Sequence, residues 1–214
     1  MIWERLSSSY DAVASEYEAT FLDELDGKPQ DQAMLRDFIE SAPNPIADLG
    51  CGPGQVGRFV RSHGRTVVGV DLSAEMVRLA SGRLDAALVS DIRRLPFAGA
   101  SFGGVVAFYS LIHLPREEVD VALAEIYRVL RPGGRLLLSA HEGHGVIEQE
   151  EFLGHAVPFV ATLFSLDELM DATSRSGLHL TMSQRRDPLE SELQTGRLYV
   201  AAEKTRRGIR RGHG

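Results

Sequence analysis

Short apolar runs alternate with segments of helical periodicity along most of this sequence. The runs show no clean alternation of apolar and polar positions, which is typical of parallel strands that helices cover on both faces. This order of elements predicts an α/β fold built on a mostly parallel sheet. The predicted strands are residues 45–49, 66–71, 86–90, 104–109 and 134–140, followed by a late hairpin of residues 178–185 and 197–203.

Helical periodicity is clearest over residues 116–130, where apolar side chains recur at the spacing of an amphipathic helix. A later helix is predicted to begin at Ser165, because Ser165 and Glu168 have the spacing of a capping box. Two regions stand outside the alternation. Residues 1–41 precede the first strand and are expected to be mainly helical, and residues 141–164 form a long connection of the kind that often carries function.

Composition fits one globular domain. The chain has 214 residues, of which 43% are hydrophobic and 25% are charged, and these values are ordinary for folded proteins. The net charge of −7 disfavours nucleic-acid binding, although residues 205–214 form a basic tail that is expected to be disordered. No signal core or membrane-spanning run is found, so a cytoplasmic protein is expected.

The most informative motif is the glycine-rich segment of residues 48–54, which follows the first predicted strand. Its three glycines, Gly50, Gly52 and Gly54, allow the backbone to turn sharply and to approach a ligand closely. Glycine spacing alone also fits a dinucleotide-binding loop. Asp48 separates the two cases, because a carboxylate at this place repels a pyrophosphate and suits a positively charged ligand. Cys51 has no neighbouring base to activate it, which favours a small buried residue over a nucleophile.

Two further aspartates follow the next two predicted strands. Asp71 ends the second strand, where a carboxylate can accept hydrogen bonds from ribose hydroxyls. Asp91 follows the third strand, where an acid beside an apolar residue can hold an adenine amino group. Since the carboxyl ends of parallel strands meet at one edge of the sheet, we expect Asp48, Asp71 and Asp91 to share one ligand site.

Over residues 45–140 the sequence resembles the class I S-adenosylmethionine-dependent methyltransferases, in particular the small-molecule group with the ubiquinone/menaquinone-biosynthesis-type enzymes. The resemblance implies a Rossmann-like, doubly wound α/β sheet of seven strands in the order 3-2-1-4-5-7-6, with the last strand antiparallel. It also implies a helical lid over residues 1–41 and a methyltransferase domain over residues 42–204, in which residues 141–164 form a substrate-side cap. The matching segments are residues 48–54, 67–80, 90–97, 102–114 and 126–139.

The same resemblance implies which residues contact S-adenosylmethionine. Tyr10 and Tyr17 of the lid are candidates to close over the cofactor, with ordinary packing of an amphipathic helix as the alternative. The implied contacts outside the lid are Asp48, Gly50, Cys51, Gly52 and Gly54 at the methionine part, Asp71, Leu72 and Met76 at the adenosine, Asp91 and Ile92 at the adenine, and Phe108, Tyr109 and Ser110 at the sulfonium.

Methyl transfer from a sulfonium is an in-line displacement, and much of its rate can come from alignment in a dry pocket. A base is needed only for a nucleophile that is protonated at the working pH. His113, after the fourth strand, is the first candidate because histidine titrates near neutral pH. His141, after the fifth strand, is the second, and a structural role is the alternative for both. Lys28 can approach the cofactor carboxylate or the substrate, or be solvated.

The sequence therefore predicts a methyltransferase acting on oxygen, nitrogen or carbon of a small molecule, as a monomer or homodimer. No metal is expected, because the histidines and glutamates of residues 141–164 match no standard ligand spacing. A non-catalytic S-adenosylmethionine-binding protein stays open. A nicotinamide-dependent oxidoreductase shares the loop and the ribose acid, but Asp48 and Asp91 count against it. Methylation of nucleic acid or protein is disfavoured by the acidic body and by the absence of an Asn-Pro-Pro-Tyr-like motif after the fourth strand.

Overall fold

The computed structural model describes residues 5–206, in which helices come first and strands then alternate with helices. The strands are β1 (Ile46–Leu49), β2 (Val67–Asp71), β3 (Ala86–Val89), β4 (Phe102–Phe108), β5 (Leu130–His141), β6 (Val146–Gln149), β7 (Phe159–Thr162), β8 (His179–Arg186) and β9 (Arg197–Glu203). The α-helices are α1 (Leu6–Ala12), α2 (Ala14–Phe21), α3 (Pro29–Ser41), α4 (Gln55–Ser62), α5 (Ala74–Ala80), α6 (Val119–Val129) and α7 (Leu166–Arg175).

One sheet of seven strands, in the order β3-β2-β1-β4-β5-β9-β8, lies at the centre of the fold. Strands β1 to β5 are parallel, and β9 pairs antiparallel with both β5 and β8. The predicted order is confirmed, with β8 and β9 as the strands predicted sixth and seventh. The order reverses between β1 and β4, and ligands bind in such sheets at the crevice beside this point.

Helices cover both faces of the sheet, as the unbroken apolar runs predict. On one face, α6 and α7 pack on side chains of β1, β4 and β5 in a core that includes Ala47, Val105 and Ile126. On the other face, α3 and α4 pack on the opposite side chains of the same strands, with Phe38 and Val60 in that core. Both β1 and β4 are buried over their whole length, which gives the site at their ends a rigid base.

The two predicted helix signals are confirmed. The amphipathic segment is α6, preceded by one turn of 3-10 helix at Arg116–Glu118. At the start of α7, the Ser165 hydroxyl accepts from the Glu168 amide at 3.2 Å, and the Glu168 carboxylate accepts from the Ser165 amide at 3.3 Å. This reciprocal pair satisfies two amide groups that a helix start otherwise leaves unpaired.

The connection of residues 141–164 contains a second sheet, formed by the two strands β6 and β7. These two strands were not predicted from the sequence. Each of these strands has four residues, too few to show an alternating pattern. β7 packs beside the 3-10 turn Leu111–His113, and the Thr162 hydroxyl donates to the Leu114 carbonyl at 2.7 Å. The connection is thereby held against the end of β4.

The segment before the sheet is helical as predicted, and hydrogen bonds fix its first helix to the edge where the ligand site is expected. The Asp11 carboxylate accepts from the Ser73 hydroxyl at 2.6 Å and from the Glu75 amide at 3.1 Å. The Ser7 hydroxyl donates to the Leu72 carbonyl at 3.0 Å. Helix α1 therefore lies across the loop between β2 and α5.

The predicted basic tail of residues 205–214 lies outside the described residues from position 207 onward. Across residues 5–206, no helix combines the length and the apolar character that a membrane crossing requires.

Candidate functional site

A cavity opens at the carboxyl ends of β1, β2 and β4 and brings together nearly all of the predicted ligand contacts. Its wall includes Tyr10 and Tyr17 from the helices before the sheet, and His113 from the turn after β4. Two predicted residues, Gly54 and His141, do not line it. The other predicted residues in its wall are Asp48, Gly50, Cys51, Gly52, Asp71, Leu72, Met76, Asp91, Ile92, Phe108, Tyr109 and Ser110.

The glycine loop turns sharply between β1 and α4, as the sequence predicts. Gly50 has a φ of +67°, and a Cβ added there would overlap the Cβ of Ser110. The amides of Gly50 and Cys51 both donate to the Val70 carbonyl, at 2.7 and 3.0 Å. Gly54 is a correction, because it does not face the cavity but forms the N-cap of α4 with a φ of +94°. Its glycine is required by the helix start rather than by a ligand.

Asp48 is buried at the end of β1, with 2% of its surface exposed. Its Oδ2 atom has no hydrogen-bond partner within the described part of the chain. Burial raises the pKa of this carboxyl group to about 7, although a hydrogen bond from the Gly57 backbone amide to the carboxyl group opposes the increase. A Cβ at Gly57 would come within 2.8 Å of the same oxygen, so this glycine of α4 makes room for the acid. A buried acid without a partner is costly unless a donor or cation meets it.

Asp71 at the end of β2 joins the loop to the next helix. Its Oδ2 accepts from the Gly52 amide at 2.8 Å, and its Oδ1 accepts from the Ser73 amide at 2.9 Å. Burial raises the pKa of Asp71, although these backbone hydrogen bonds oppose the increase. Each oxygen keeps a lone pair for a further donor. Beside it, Leu72 is 40% exposed and Met76 is fully buried.

Asp91 lies in the cavity wall after β3, but its carboxylate is already paired. Arg93 donates through Nε to both carboxylate oxygens at 2.9 Å and through its backbone amide to Oδ1 at 2.8 Å. Burial acts to raise the pKa of Asp91, and the Arg93 hydrogen bonds outweigh it and lower the pKa. The arginine also pairs with Glu118. Arg93 was not predicted as a partner of Asp91, although it lies only two residues further along the chain.

His113 lies in the cavity wall with both ring nitrogens in hydrogen bonds. Nδ1 is 2.8 Å from the Val160 carbonyl, and Nε2 is 2.8 Å from the Tyr10 hydroxyl. A carbonyl only accepts, so Nδ1 carries the proton and Nε2 accepts from Tyr10. Burial lowers the pKa of His113 to about 4. Burial thus places the pKa of His113 below the near-neutral value that its residue type suggests.

His141, the second candidate base, does not line the cavity. Its ring stacks on Tyr109 with a centroid distance of 5.0 Å, and Nδ1 lies 3.0 Å from the Thr195 hydroxyl. Burial, followed by the charge of Arg197, lowers the pKa of His141 to about 3. The histidine is thus a neutral packing partner behind Tyr109.

Tyr109, directly after β4, has a φ of +52°, which is unusual for a residue with a side chain. Its hydroxyl lies 3.3 Å from that of Tyr199, whose own hydroxyl donates to Asp31 at 2.7 Å. Arg186 Nε donates to the Tyr199 oxygen at 3.0 Å. Since Tyr199 gives its proton to Asp31, the Tyr109 hydroxyl is the donor to Tyr199. Strained backbone held by a buried network often marks a functional site.

The family model for the methyltransferase domain matches residues 47–138, the segment that contains the loop and the ends of β2 and β4. Residues 47–138 therefore match a methyltransferase domain. The methyltransferase assignment and the fold class predicted from the sequence are thereby confirmed.

Curated relatives of this methyltransferase domain differ in the activities their names give. A malonyl-[acyl-carrier protein] O-methyltransferase of Herminiimonas arsenicoxydans is 30% identical over 177 residues, which are 78% of this chain and 65% of that protein. The ubiquinone/menaquinone biosynthesis C-methyltransferase UbiE of Rubrivivax gelatinosus is 33% identical over 141 residues, 63% of this chain and 55% of that protein. The chain therefore spans less than two thirds of the length of these relatives.

Solved structures show the same fold at low sequence identity. The DhpI complex with S-adenosylhomocysteine has a TM-score of 0.72 at 22% identity and covers 95% of this chain and 97% of its own. An S-adenosylmethionine-dependent methyltransferase of Methanosarcina mazei has a TM-score of 0.71 at 20% identity and covers 81% of this chain and 97% of its own.

The cavity of the methyltransferase domain suits a ligand with the charge and shape of its cofactor. Three buried polar atoms lack a hydrogen-bond partner among the described residues, namely Asp48 Oδ2, Gln55 Oε1 and Ser110 Oγ, and all three residues line the cavity. The glycine loop lies directly beneath the Ser110 and Gln55 side chains, because a Cβ at Gly50 would overlap Ser110 and one at Gly52 would come within 3.1 Å of Gln55. Within residues 5–206, no group of three or more acidic, histidine or cysteine side chains is arranged to hold a metal ion.

Several residues in the wall of this methyltransferase cavity were not singled out from the sequence. The N-terminal segment contributes Glu24 and Asp31, and the start of α4 contributes Gln55. Lys28, which the sequence analysis named, also lines the wall. Lys28 is not solvated, because its ammonium is 2.5 Å from Glu24 and 3.2 Å from Glu192. No short motif connects these positions, and a charged residue every third or fourth place in a helix normally indicates a solvated face. For Asp31, only the packing of α3 against β8 and β9 reveals the position, through its contacts with Arg186 and Tyr199.

Proposed function

We propose that this chain transfers a methyl group from S-adenosylmethionine to an unidentified small molecule. The observation that carries the proposal is the unpaired Oδ2 of Asp48, buried beside a glycine loop that a family model for methyltransferase domains covers. This acid would meet the ammonium of the cofactor, and its charge opposes the pyrophosphate of a nicotinamide cofactor.

The remaining cofactor contacts follow from the same cavity. Asp71 would accept hydrogen bonds from the ribose hydroxyls with the lone pairs that Gly52 and Ser73 leave free. Leu72, Met76 and Ile92 would enclose the base. Asp91 would keep its pair with Arg93, so that the adenine amino group shares a carboxylate rather than occupying it alone.

Bound S-adenosylmethionine supplies an activated methyl group with a neutral leaving group. The chain would contribute alignment and exclusion of water, through Phe108, Tyr109 and Ser110 at the end of β4. Tyr109 is fixed by stacking on His141 and by its hydroxyl contact with Tyr199. His113 would hold Tyr10 over the site, and its neutral, doubly hydrogen-bonded ring makes it a weak base.

Residues 1–41 and 141–164 would form the lid and the cap of this site. Four aromatic side chains support the assignment. Tyr10 and Tyr17 of the N-terminal helices lie 5.6 and 6.4 Å from Phe152 between ring centroids, and Phe152 lies 4.7 Å from Phe159 of β7. His155 also lies 3.4 Å from Glu16 of α2. The two segments therefore meet over the cavity, where they would enclose an acceptor of limited size.

The acceptor would be a small molecule rather than a nucleic acid, because the net charge of −7 opposes a polyanion. The names of the relatives include methylation at oxygen of malonyl-[acyl-carrier protein] and at carbon in ubiquinone and menaquinone biosynthesis. We infer that the methylated atom of this chain's acceptor is likewise oxygen or carbon, or else nitrogen. A cytoplasmic location and a monomeric or homodimeric state stay predictions.

Two measurements test the proposed function. Calorimetry should give one binding site for S-adenosylhomocysteine, and the Asp71→Ala variant should lose about tenfold in affinity, the scale of a charged hydrogen bond. Labelled S-adenosylmethionine with an extract of small metabolites should then give a labelled small product. Failure of the wild-type chain to bind the cofactor product would refute the proposal, and binding without any labelled product would favour a non-catalytic cofactor-binding role.

A further inference from the structure

Asp31 is a carboxylate in the cavity wall to which no cofactor contact is assigned above. It lies in the first turn of α3, with 1% of its surface exposed. Its Oδ1 atom accepts from the Tyr199 hydroxyl at 2.7 Å and from Nε of Arg186 at 3.1 Å. Among the described residues, its Oδ2 atom accepts one long hydrogen bond of 3.3 Å, from Nη2 of Arg186. This oxygen therefore keeps a lone pair for a further donor.

Arg186 is shared between Asp31 and Glu192, and Glu192 has the shorter contacts. Nη1 and Nη2 of Arg186 donate to Glu192 at 2.6 and 2.9 Å, whereas the two hydrogen bonds from Arg186 to Asp31 are 3.1 and 3.3 Å long. One guanidinium thus serves two carboxylates, and Asp31 has the weaker hydrogen bonds. A buried carboxylate with such long hydrogen bonds gains from a further donor placed beside it.

Two tyrosines connect Asp31 to the end of β4, where the sulfonium of the cofactor is expected. The Tyr199 hydroxyl lies 2.7 Å from Asp31 and 3.3 Å from the Tyr109 hydroxyl. Asp31 is also close enough to Tyr109 that its charge, after burial, is the second cause of the raised pKa of that tyrosine. Tyr109 and the next residue, Ser110, line the cavity together with Asp31. A molecule that approaches the sulfonium along this wall can therefore meet the carboxylate.

The other carboxylates and the imidazole of the cavity wall already have partners or assigned ligands. His113 is neutral, with both ring nitrogens in hydrogen bonds, and Glu24 is bonded to the Lys28 ammonium at 2.5 Å. Three carboxylates are assigned to the cofactor, namely Asp48, Asp71 and Asp91. Among the wall residues that the structure describes, Asp31 is the carboxylate that remains for the acceptor.

The charges near Asp31 disfavour a negatively charged acceptor. Glu24 lines the same cavity as Asp31. Lys28, at the N-cap of α3, is already bonded to Glu24 at 2.5 Å and lies 3.2 Å from Glu192. An acceptor carboxylate would therefore add a negative charge beside Asp31, with the nearby cation already engaged by two acids. A neutral group that carries an O–H or N–H would instead donate to Oδ2.

We propose that Asp31 binds the reacting group of the acceptor, and that this group is a neutral hydroxyl or amine rather than a carboxylate. This inference rests on the proposed function. The O–H or N–H of the acceptor donates to Oδ2 of Asp31, while Tyr199 and Arg186 hold the carboxylate in place. As the acceptor atom forms its bond to the methyl carbon, its proton passes to Oδ2, and sulfur keeps the electron pair of the bond that breaks.

The chemistry of the product tests the proposed class of acceptor. The wild-type chain is incubated with an extract of small metabolites and with S-adenosylmethionine whose methyl group is isotopically labelled. The labelled products are then examined by NMR and by alkaline hydrolysis. We expect the label on oxygen or nitrogen, in a product that alkali does not cleave. A methyl ester, which alkali cleaves, or a methyl group bonded to carbon would overturn the proposal.

A pair of variants tests the role of Asp31 itself. Asp31→Asn keeps an oxygen for the Tyr199 hydroxyl but removes the charge, and Asp37→Asn is the matched control at an exposed position of the same helix. At limiting acceptor, methyl transfer by Asp31→Asn should be at least tenfold slower than by the control, the scale of a hydrogen bond to a charged group. Calorimetric affinity for S-adenosylhomocysteine should stay within about threefold.

Two results with these variants would contradict a contact between Asp31 and the acceptor. One is a rate of Asp31→Asn equal to that of the control. The other is an equal loss of rate and of affinity for S-adenosylhomocysteine, which a purely structural role of the buried network would produce. If Asp31→Asn does not fold, the product of the wild type still decides. Failure of the wild type to bind S-adenosylhomocysteine, or to label any product, would instead refute the proposed function.

Discussion

The hydroxyl of Tyr10 lies 2.8 Å from Nε2 of His113 and joins the first helix of the chain to the turn after β4. Because Nδ1 of the same ring donates to the Val160 carbonyl, Tyr10 is the donor of this bond. One neutral imidazole therefore connects the N-terminal segment, the central sheet and the β6–β7 connection. His113 therefore has a structural role, because it fixes the position of Tyr10, whether or not it also has a chemical role.

Removing the Tyr10 hydroxyl should destabilise the fold without creating a cavity. In Tyr10→Phe the ring contacts remain, but the buried Nε2 of His113 loses its donor. We expect the free energy of unfolding in urea to fall by about 1–2 kcal/mol. Tyr127→Phe is the matched control, because the Tyr127 hydroxyl makes no hydrogen bond to a described residue, and it should change stability by less than about 0.5 kcal/mol. Equal effects in the two variants would contradict the assigned donor.

The low pKa of His113 predicts how its contribution to stability depends on pH. The folded-state pKa is about 4, whereas an unfolded histidine titrates near 6.5. As the pH falls below 6.5 the unfolded chain binds a proton that the folded chain refuses, so the histidine costs stability in acid. Relative to His113→Gln, the wild type should lose about 2 kcal/mol of unfolding free energy between pH 7 and pH 5. A pH-independent difference, or a His113 pKa above 6 by NMR, would contradict the burial described here.

Asp48 predicts a pH dependence for cofactor binding. With a pKa of about 7 in the free cavity, its carboxyl group is protonated below neutral pH and must lose the proton to meet an ammonium. Affinity for S-adenosylmethionine should therefore fall by up to tenfold per unit as the pH decreases from 7 to 5. Calorimetry in two buffers of different ionisation enthalpy should detect release of a proton. In Asp48→Asn the pH dependence of binding should vanish, and affinity should be low at every pH. If binding by the wild type does not depend on pH, Asp48 does not bind the cofactor ammonium.

Gly50 is required by two independent constraints. Its φ of +67° is unfavourable for a residue with a side chain, and a Cβ there would overlap that of Ser110. Gly50→Ala should lower the free energy of unfolding by about 2–4 kcal/mol and abolish binding of S-adenosylhomocysteine. Gly27→Ala, where no heavy atom lies within 4 Å of the added Cβ, should leave both properties nearly unchanged. Normal cofactor binding by Gly50→Ala would show that the loop can adopt another backbone conformation, and would contradict this requirement for glycine.

The parts of the fold that the sequence predicted are those fixed by local patterns. The parallel strands, the capping box at Ser165 and the glycine loop each arise from residue types within a few positions of one another. Asp48 and Asp71 were predicted for the same reason, since each lies at the end of a strand that defines the ligand edge. Their pairing in space then follows from the parallel sheet alone.

What the sequence did not predict depends on contacts between distant segments. Lys28 and Glu192 form an ion pair although they are 164 positions apart along the chain, and no sequence periodicity indicates this pair. The stacking of His141 on Tyr109 is likewise a contact between two strands, and the left-handed backbone of Tyr109 cannot be predicted from its residue type. The short strands β6 and β7 become strands only because they pair with each other. Burial then shifted the pKa of His113 away from the value expected for a free imidazole.

The central claim, that the cavity over residues 48–54 holds S-adenosylmethionine, is tested most directly by a crystal structure with S-adenosylhomocysteine bound. The ribose hydroxyls should lie about 2.5–3.0 Å from the Asp71 carboxylate, and the ligand ammonium should lie at the same hydrogen-bond distance from Asp48. A ligand bound elsewhere, or turned so that its ribose faces away from Asp71, would contradict the account.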